Sequence, residues 1–466
     1  MGIRGLGVHV WKPVSREDRA ADRTPSRHRF VYWLTTCALA ALLLLLLSAP
    51  PAPLAGSNAS AGENVFARPA LCVGAHGAKA CKASAAVNRS KKMKSAAKSC
   101  TTKAQKRTKK CIAQVRKSAK KTANKKSSSS TNADATPASS LPEGYGPAQF
   151  RSAYNLPSAA ARVQTIAIVS AYDSPNIEKD LAVYSKTFSL PVCSSKNGCF
   201  RKVNAAGKKA PLPVRNALWA LETSLDVEVA HAVCSNCKIL LVEADASSVN
   251  DLTAALDTAV ELGADVISNS WVVDEFRNET ALDSHFNRPG IAITAASGDA
   301  GYGVTWPAAS PYVTAVGGTT LEVDSSNARV SESAWDLGGS GCSAYESKPT
   351  WQSDGGCTHR TVPDVAAVAN PSTGAAVYDS YGYQGESGWM KIGGTSVAAP
   401  LVAAAYALAG NAADVVAGSY PYTHSSSLFD IKDGVNGSCS TAYLCNAGTG
   451  YDGPSGLGSP AGVAAL

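Results

Sequence analysis

The chain has 466 residues, with 44 Lys and Arg against 36 Asp and Glu, a net charge of +8. That length leaves room for a large core and for further segments. Between Cys72 and Lys126 lie 18 basic residues and no acidic one, whereas Pro142 to the end carries 18 basic and 31 acidic, a net of −13. The basicity therefore belongs to one segment, and it excludes reading the globular region as a nucleic-acid binder.

Arg27-His28-Arg29 precede an apolar run over residues 30–49, and small residues and prolines follow through Gly56. Residues 1–55 read as a secretory signal, which implies an extracellular protein. The run is close to a membrane span in length, so an uncleaved anchor is the alternative. Residues 56–141 are rich in Lys, Ala and Ser, with Phe66 as the only aromatic residue. Such a segment buries too little apolar surface to fold alone and is expected to be a disordered basic spacer. A solvated linker is the first reading of it. The second is contact between residues 79–126 and an anionic cell-envelope polymer.

From Pro142 the texture changes. Strands are expected over Thr165–Ser170, Lys238–Glu243, Asp265–Ser270, Ile291–Ala296 and Tyr312–Val316. Helices are expected over Ile177–Phe188, Asn216–Val233 and Val249–Leu262, and another from the apolar, Ala-rich run behind Ser396. Apolar strands alternating with helices predict an α/β fold with a mainly parallel sheet flanked by helices. Sites in such sheets lie beyond the carboxyl ends of strands. Ser297-Gly298-Asp299 and Asn269-Ser270-Trp271 sit at such ends.

Of the 13 cysteines, Cys37 lies in the apolar run. The others form close pairs: Cys72 and Cys81, Cys100 and Cys111, Cys193 and Cys199, Cys234 and Cys237, Cys342 and Cys357, Cys439 and Cys445. After an export signal this implies disulfides, with sequential pairing the economical arrangement. A zinc site at Cys234-Ser-Asn-Cys237 is the alternative, and the export context opposes it.

Gly393-Gly394-Thr395-Ser396 stands at the start of the Ala-rich helix. Unpaired N–H groups there favour developing negative charge, so Ser396 is placed either as a nucleophile or as a helix cap. Glu222 and Asp226 are four apart on one helix face. They are either two solvent-facing acids or a coupled pair that accepts and tunes a proton. Asp299 is either a turn residue or an acid that stabilises an oxyanion. His231 shares the helix of Glu222, but nine residues on, and reads as structural; a carboxylate is the better base.

Residues 142–466 resemble the sedolisins, the serine-carboxyl peptidases, almost end to end. The resemblance is carried by GYGPAQFRSAYNLP, ETSLDVEVAHAV, KILLVEA, ADVISNSW, ASGDAGYGVTWPAASPYVTAVGGTTL, GGTSVAAP and DIKDGVNG…NAGTGYDGPSGLGSP. It implies a subtilisin-like fold and an endopeptidase that acts on polypeptides in acid. Ser396 would be the nucleophile, Glu222 the base, Asp226 its orienting partner and Asp299 the oxyanion donor beside the Ser396 N–H. It also implies calcium, held by side chains of Asp430 and Asp452 and carbonyls of Ile431, Gly448 and Gly450. A monomer is expected. Val272 after Trp271 departs from the family's usual glycine, and the spacer is shorter than its folded propeptides. An inactive envelope-tethered module and a histidine-using subtilisin-type peptidase are the competing readings.

Overall fold

The computed structural model describes residues 65–73 and 141–466. The apolar run at 30–49, the basic segment 79–126 and the pair Cys100 and Cys111 lie outside the described residues. Among the described residues, no helix is long and apolar enough to cross a membrane.

Two short strands come first, β1 (Arg68–Pro69) and β2 (Cys72–Val73). The main sheet is then built from β3 (Thr165–Ala171), β4 (Phe200–Asn204), β5 (Lys238–Ala244), β6 (Val266–Asn269), β8 (Ala292–Ala296), β10 (Thr314–Val323), β11 (Arg329–Ala334) and β14 (Val365–Val368). Its order is β11-β10-β8-β6-β3-β5-β4, with β14 also on β10. Every pairing in it is parallel except β10 with β11. The helices are α1 (Pro147–Ala153), α2 (Ile177–Thr187), α3 (Ala217–Val233), α4 (Val249–Glu261) and α5 (Thr395–Ala409). Strands β3, β5, β6 and β8 and helices α2, α3 and α4 match the sequence expectation to within a residue or two, and α5 begins beside Ser396 as expected; β10 starts later and runs to Val323, and the sequence carries no expectation for β4, β11, β14 or α1.

Each strand feeds two cores because neighbouring side chains point to opposite faces. Ile166 and Ile168 of β3 join Leu221, Leu225, Val397 and Leu401 from α3 and α5. Ala167 and Val169 join Leu252 and Leu256 from α4 on the other face. Helices α3 and α5 are buried almost all round; α5 is nearly all apolar, whereas α3 buries Glu222, Thr223, Ser224, Asp226, Glu228 and His231. Asn216 caps α3 by accepting from the N–H groups of Leu218 (3.0 Å) and Trp219 (3.2 Å).

Smaller strands frame one end of the sheet. Strand β7 (Trp271–Asp274) pairs with β9 (Thr305–Trp306), and β15 (Ala375–Tyr383) forms a hairpin with β16 (Glu386–Gly393). Strands β1 and β2 lie inside the segment that composition assigns to the spacer, yet they pack on this end. Val65–Val73 is apolar except for Arg68, and β1 and β2 add to edges that already exist, at β7 and β16. Disulfides join Cys193 to Cys199, Cys234 to Cys237, Cys342 to Cys357 and Cys439 to Cys445, the sequential pattern. Cys234 and Cys237 are thus not zinc ligands. Cys72 is also disulfide-bonded.

Candidate active site

The four residues singled out for chemistry converge at the carboxyl ends of β6 and β8. Ser396 occupies the second position of α5 and is wholly buried. Pro400, one turn on, has no N–H to offer the Ser396 carbonyl, and the Ser270 hydroxyl lies 3.5 Å from that oxygen. The Ser396 hydroxyl donates to the Ser270 carbonyl at 3.3 Å.

Glu222 and Asp226 face inward from α3, each only 1% exposed. The solvent-facing alternative is thereby excluded. The Ser270 hydroxyl donates to Asp226 Oδ1 at 2.6 Å. Among the described residues, Asp226 Oδ2 and both oxygens of Glu222 have no hydrogen-bond partner. Burial first, then the Asp226 charge, pushes Glu222 well above the usual carboxyl range, with the Ser396 hydroxyl acting in the opposite sense. Burial likewise raises Asp226, against the pull of Ser270. Two carboxyls this dry and this close cannot both be charged, so they share protons as a unit.

Asp299 follows β8 and turns back onto the start of α5. Its Oδ1 accepts from the Thr395 N–H and hydroxyl, each at 2.8 Å. The Thr395 hydroxyl in turn accepts from the Gly298 N–H at 3.0 Å. Oδ2 faces the segment Val65–Val73, 3.5 Å from the Cys72 sulfur. Burial lifts this carboxyl to about 7, against the lowering effects of Thr395 and the Arg68 charge. A neutral acid here can donate to a developing oxyanion.

Histidine takes no part in this cluster. Among the described residues, none is a hydrogen-bond partner of Ser396. His231 lies on α3, its Nε2 3.0 Å from the Pro191 carbonyl, beside the Cys193–Cys199 disulfide. Burial lowers its pKa, which fits the structural role.

The sequence reading missed three participants. Ser270 links Asp226 to the Ser396 backbone, and Thr395 orients Asp299. The third is the segment Val65–Val73, which runs through the site: the Ser396 N–H donates to the Ala70 carbonyl at 2.8 Å. The only sequence signal for it is a short apolar stretch ahead of the Lys-rich run.

The five residues assigned to a cation also come together. Asp452 Oδ2 accepts from the Gly448 N–H at 2.8 Å, and Asp430 Oδ1 from the Gly450 N–H at 3.1 Å. The Ser455 hydroxyl reaches Asp452 Oδ1 at 2.9 Å and lies 3.4 Å from the Ile431 carbonyl. Burial raises Asp452 to about 6, and the Asp430 charge adds to the rise. Two carboxylates that repel one another across a Gly-rich loop, with a carbonyl beside them, fit a hard cation.

The Subtilase family matches residues 213–424. Sedolisin from Pseudomonas sp. (strain 101) is 29% identical over 367 residues, covering 70% of this chain and 61% of that protein. Kumamolisin from Bacillus sp. (strain MN-32) is 31% identical over 370 residues, covering 70% of this chain and 64% of that one. The chain thus spans less than two thirds of the length of the curated relatives it matches. A solved structure of Pseudomonas sedolisin, a serine-carboxyl proteinase complexed with two molecules of pseudo-iodotyrostatin, is similar with a TM-score of 0.60. It is 28% identical, and the match covers 69% of this chain and 96% of that one. On sequence and fold together, the chain resembles the sedolisins and carries a subtilisin-like α/β fold.

Proposed function

We propose that the chain is a serine-carboxyl endopeptidase that hydrolyses polypeptides in acidic medium, with Ser396, Glu222, Asp226 and Asp299 as its machinery. The observation that supports this most is the convergence of one serine and three shielded carboxyls from three separate elements, with no histidine among them. Ser396 turns its hydroxyl from the Ser270 carbonyl toward Glu222, which takes the proton as the oxygen attacks a peptide carbonyl. Asp226, held by Ser270, keeps the pair at a single negative charge. The Ser396 N–H and the protonated Asp299 receive the oxyanion. Glu222 then returns the proton to the leaving amine, and water reverses the sequence on the ester.

The two requirements bound the working pH. The carboxyl pair must have lost one proton, and Asp299, at about 7, must keep its own. The optimum therefore lies below neutrality. Asp430 and Asp452, with the carbonyls of Ile431, Gly448 and Gly450, would hold a calcium ion that braces the C-terminal loop. The export signal fits a secreted monomer. The basic segment 79–126 serves as a linker, with an anionic envelope polymer as its second reading. The test is hydrolysis of denatured protein across pH by the full chain and by Ser396→Ala and Glu222→Ala. Both variants should be inactive, and full activity in either would sink the assignment.

A further inference from the structure

Two backbone contacts show how an extended peptide sits against the candidate nucleophile. The Ala70 carbonyl accepts from the Ser396 N–H at 2.8 Å, the donor assigned above to the oxyanion. The Ala70 N–H donates to the Ser270 carbonyl at 3.1 Å, the oxygen that holds the Ser396 hydroxyl. Strand β1 pairs antiparallel with β7, Arg68 opposite Val272 and Pro69 opposite Trp271. Ala70 therefore stands where the residue on the acyl side of a substrate bond would stand. Its side chain measures the space open to that residue.

That space is a shallow cup. The Ala70 methyl is buried in a cluster of its own with Val272, Ala296 and Ala399, each no more than 2% exposed. The three walls come from three elements. Val272 is the second residue of β7, Ala296 the last of β8, and Ala399 lies one turn along α5 from Ser396. Side chains two apart on a strand share a face, and so do residues opposite one another in an antiparallel pair. Ala70, Arg68 and Val272 are thus on one face, and the valine branches stand beside the alanine methyl. Neighbouring positions are open by contrast. Arg68 is only half-buried and reaches Asp274 at 2.9 Å, and Phe66 is 51% exposed. The cup also resists widening. Trp271, next to Val272, is wholly buried and packs on Trp306 with ring centroids 5.8 Å apart, and Trp306 packs on Phe286 at 5.2 Å. Strand β9 holds the other edge of β7, Trp306 opposite Val273. Ala296 is paired with Val316 in the main sheet, and the Ala399 carbonyl accepts from the Thr294 hydroxyl at 3.1 Å. A longer side chain would have to push a packed strand or helix aside, which close-packed interiors oppose.

We propose that Val272 makes the protein selective for alanine, and next for glycine, at the residue whose carbonyl Ser396 attacks, and that it excludes leucine, phenylalanine and other long side chains there. The proposal rests on the peptidase reading above and names its substrate class, polypeptides cut after very small residues. Alanine fills the cup. Glycine leaves it short of one methyl, which forfeits the contacts of that methyl and nothing else. Leucine and phenylalanine meet Val272 before their carbonyl can reach the Ser396 N–H, so the loss falls on the attack itself. Removing the valine branches opens the β7 wall and should readmit the larger residues.

The experiment uses the full chain and Val272→Gly, each incubated in acid until its activity is constant. Both are given a series of peptides that differ only in the residue before the cut bond, which is alanine, glycine, leucine or phenylalanine. Both are also given a denatured protein whose cut sites are mapped by mass spectrometry. The wild type should cut after alanine with a kcat/KM at least about a hundredfold above that for leucine or phenylalanine, the scale on which a closed apolar pocket tells methylenes apart. Glycine should fall between them, and cuts in the denatured protein should follow alanine and glycine. In Val272→Gly the ratio of leucine to alanine should rise at least about tenfold. Equal rates for alanine and phenylalanine in the wild type overturn the selectivity and leave the peptidase reading standing. An unchanged ratio in Val272→Gly overturns the role given to Val272. Absence of hydrolysis in every peptide and in the protein overturns both readings. The wild-type series decides the selectivity even if Val272→Gly does not fold.

Discussion

Asp299 offers the sharpest test of the chemistry, because two substitutions separate its charge from its hydrogen bond. Its Oδ1 is committed to Thr395 by two bonds of 2.8 Å, so the proton must sit on Oδ2, the oxygen that faces the segment Val65–Val73. Asparagine would keep a carbonyl on Thr395 and put an N–H₂ where the O–H was. Alanine would remove the donor. With the carboxyl lifted to about 7, the wild type is protonated by roughly a thousand to one at about pH 4, and only about one molecule in ten holds the proton near pH 8. This group alone should therefore cost about tenfold in kcat/KM per pH unit above its pKa. Loss of one of two oxyanion donors costs about 3–4 kcal/mol, or roughly 10²–10³-fold. Asp299→Ala should show that loss at every pH below about 7, where the wild type holds the proton, and the gap between them should narrow above it. Asp299→Asn should retain much more activity and lose the alkaline decline due to this group. The assay is kcat/KM on a peptide from pH 3 to 8, with enzyme incubated in acid until its activity is constant. If Asn falls as far as Ala, or keeps the wild-type alkaline limb, Asp299 is not a neutral donor.

Other consequences can be checked separately. Asp226→Asn removes the charge that raises Glu222, so the acid limb of kcat/KM should move to lower pH; an unmoved limb would mean that the two carboxyls titrate independently. Arg360 and Asp364 form a fully buried bidentate pair, with both contacts at 2.6 Å, and Arg360→Ala leaves a stranded carboxylate, costing about 3–5 kcal/mol in denaturant unfolding. Burial raises Glu279 to about 9 and Glu346 to about 8, so the melting temperature should fall as pH rises toward 8, and less steeply in the Glu279→Gln, Glu346→Gln double variant. A chelator should lower the melting temperature of the wild type and have little effect on Asp430→Ala, Asp452→Ala; an unchanged wild type would remove the cation from the C-terminal loop.

The parallel sheet was legible because its strands are apolar runs of strand length between helical segments, as in TIAIVS and KILLVE. The candidate site was legible in part for the same reason, since Asp299 falls just past a strand end and Ser396 at a helix start. Burial of Glu222 and Asp226 was not legible from their spacing. What shields that face of α3 comes from α5 and β15, more than a hundred residues away in sequence. The Ser270 hydroxyl is similarly meaningless until α3 brings Asp226 to within 2.6 Å. Hairpin β15–β16 went unread because its polar and glycine residues break any alternation. Val65–Val73 was lost by averaging: a short apolar stretch was counted with the basic spacer that follows it. Its partners on β7 and β16 supply the rest of its order.

The carboxyls also connect the stability of the fold to its chemistry. Glu279, Glu346, Asp299 and Glu243 are all raised above their ordinary values, chiefly by burial, to about 9, 8, 7 and 7. An unfolded chain would release these protons near pH 4, so between there and the folded values the native state binds more protons than the unfolded one. Stability then falls as pH rises through that window, and the contribution of these groups is complete only below it. Asp324 works in the opposite direction. It is lowered by hydrogen bonds from Ser326 and Ala328, and its contribution is lost as pH falls through its folded value; but it is exposed, and its bonds lie within one turn. Acid therefore favours the buried groups, and the same condition keeps Asp299 protonated for an oxyanion. On the proposed mechanism, Glu222 and Asp226 would set the limit on the other side, because a pair that holds both protons cannot accept one from Ser396. The working range proposed for the enzyme is then the interval in which that pair has given up its first proton while Asp299 and the buried glutamates have kept theirs.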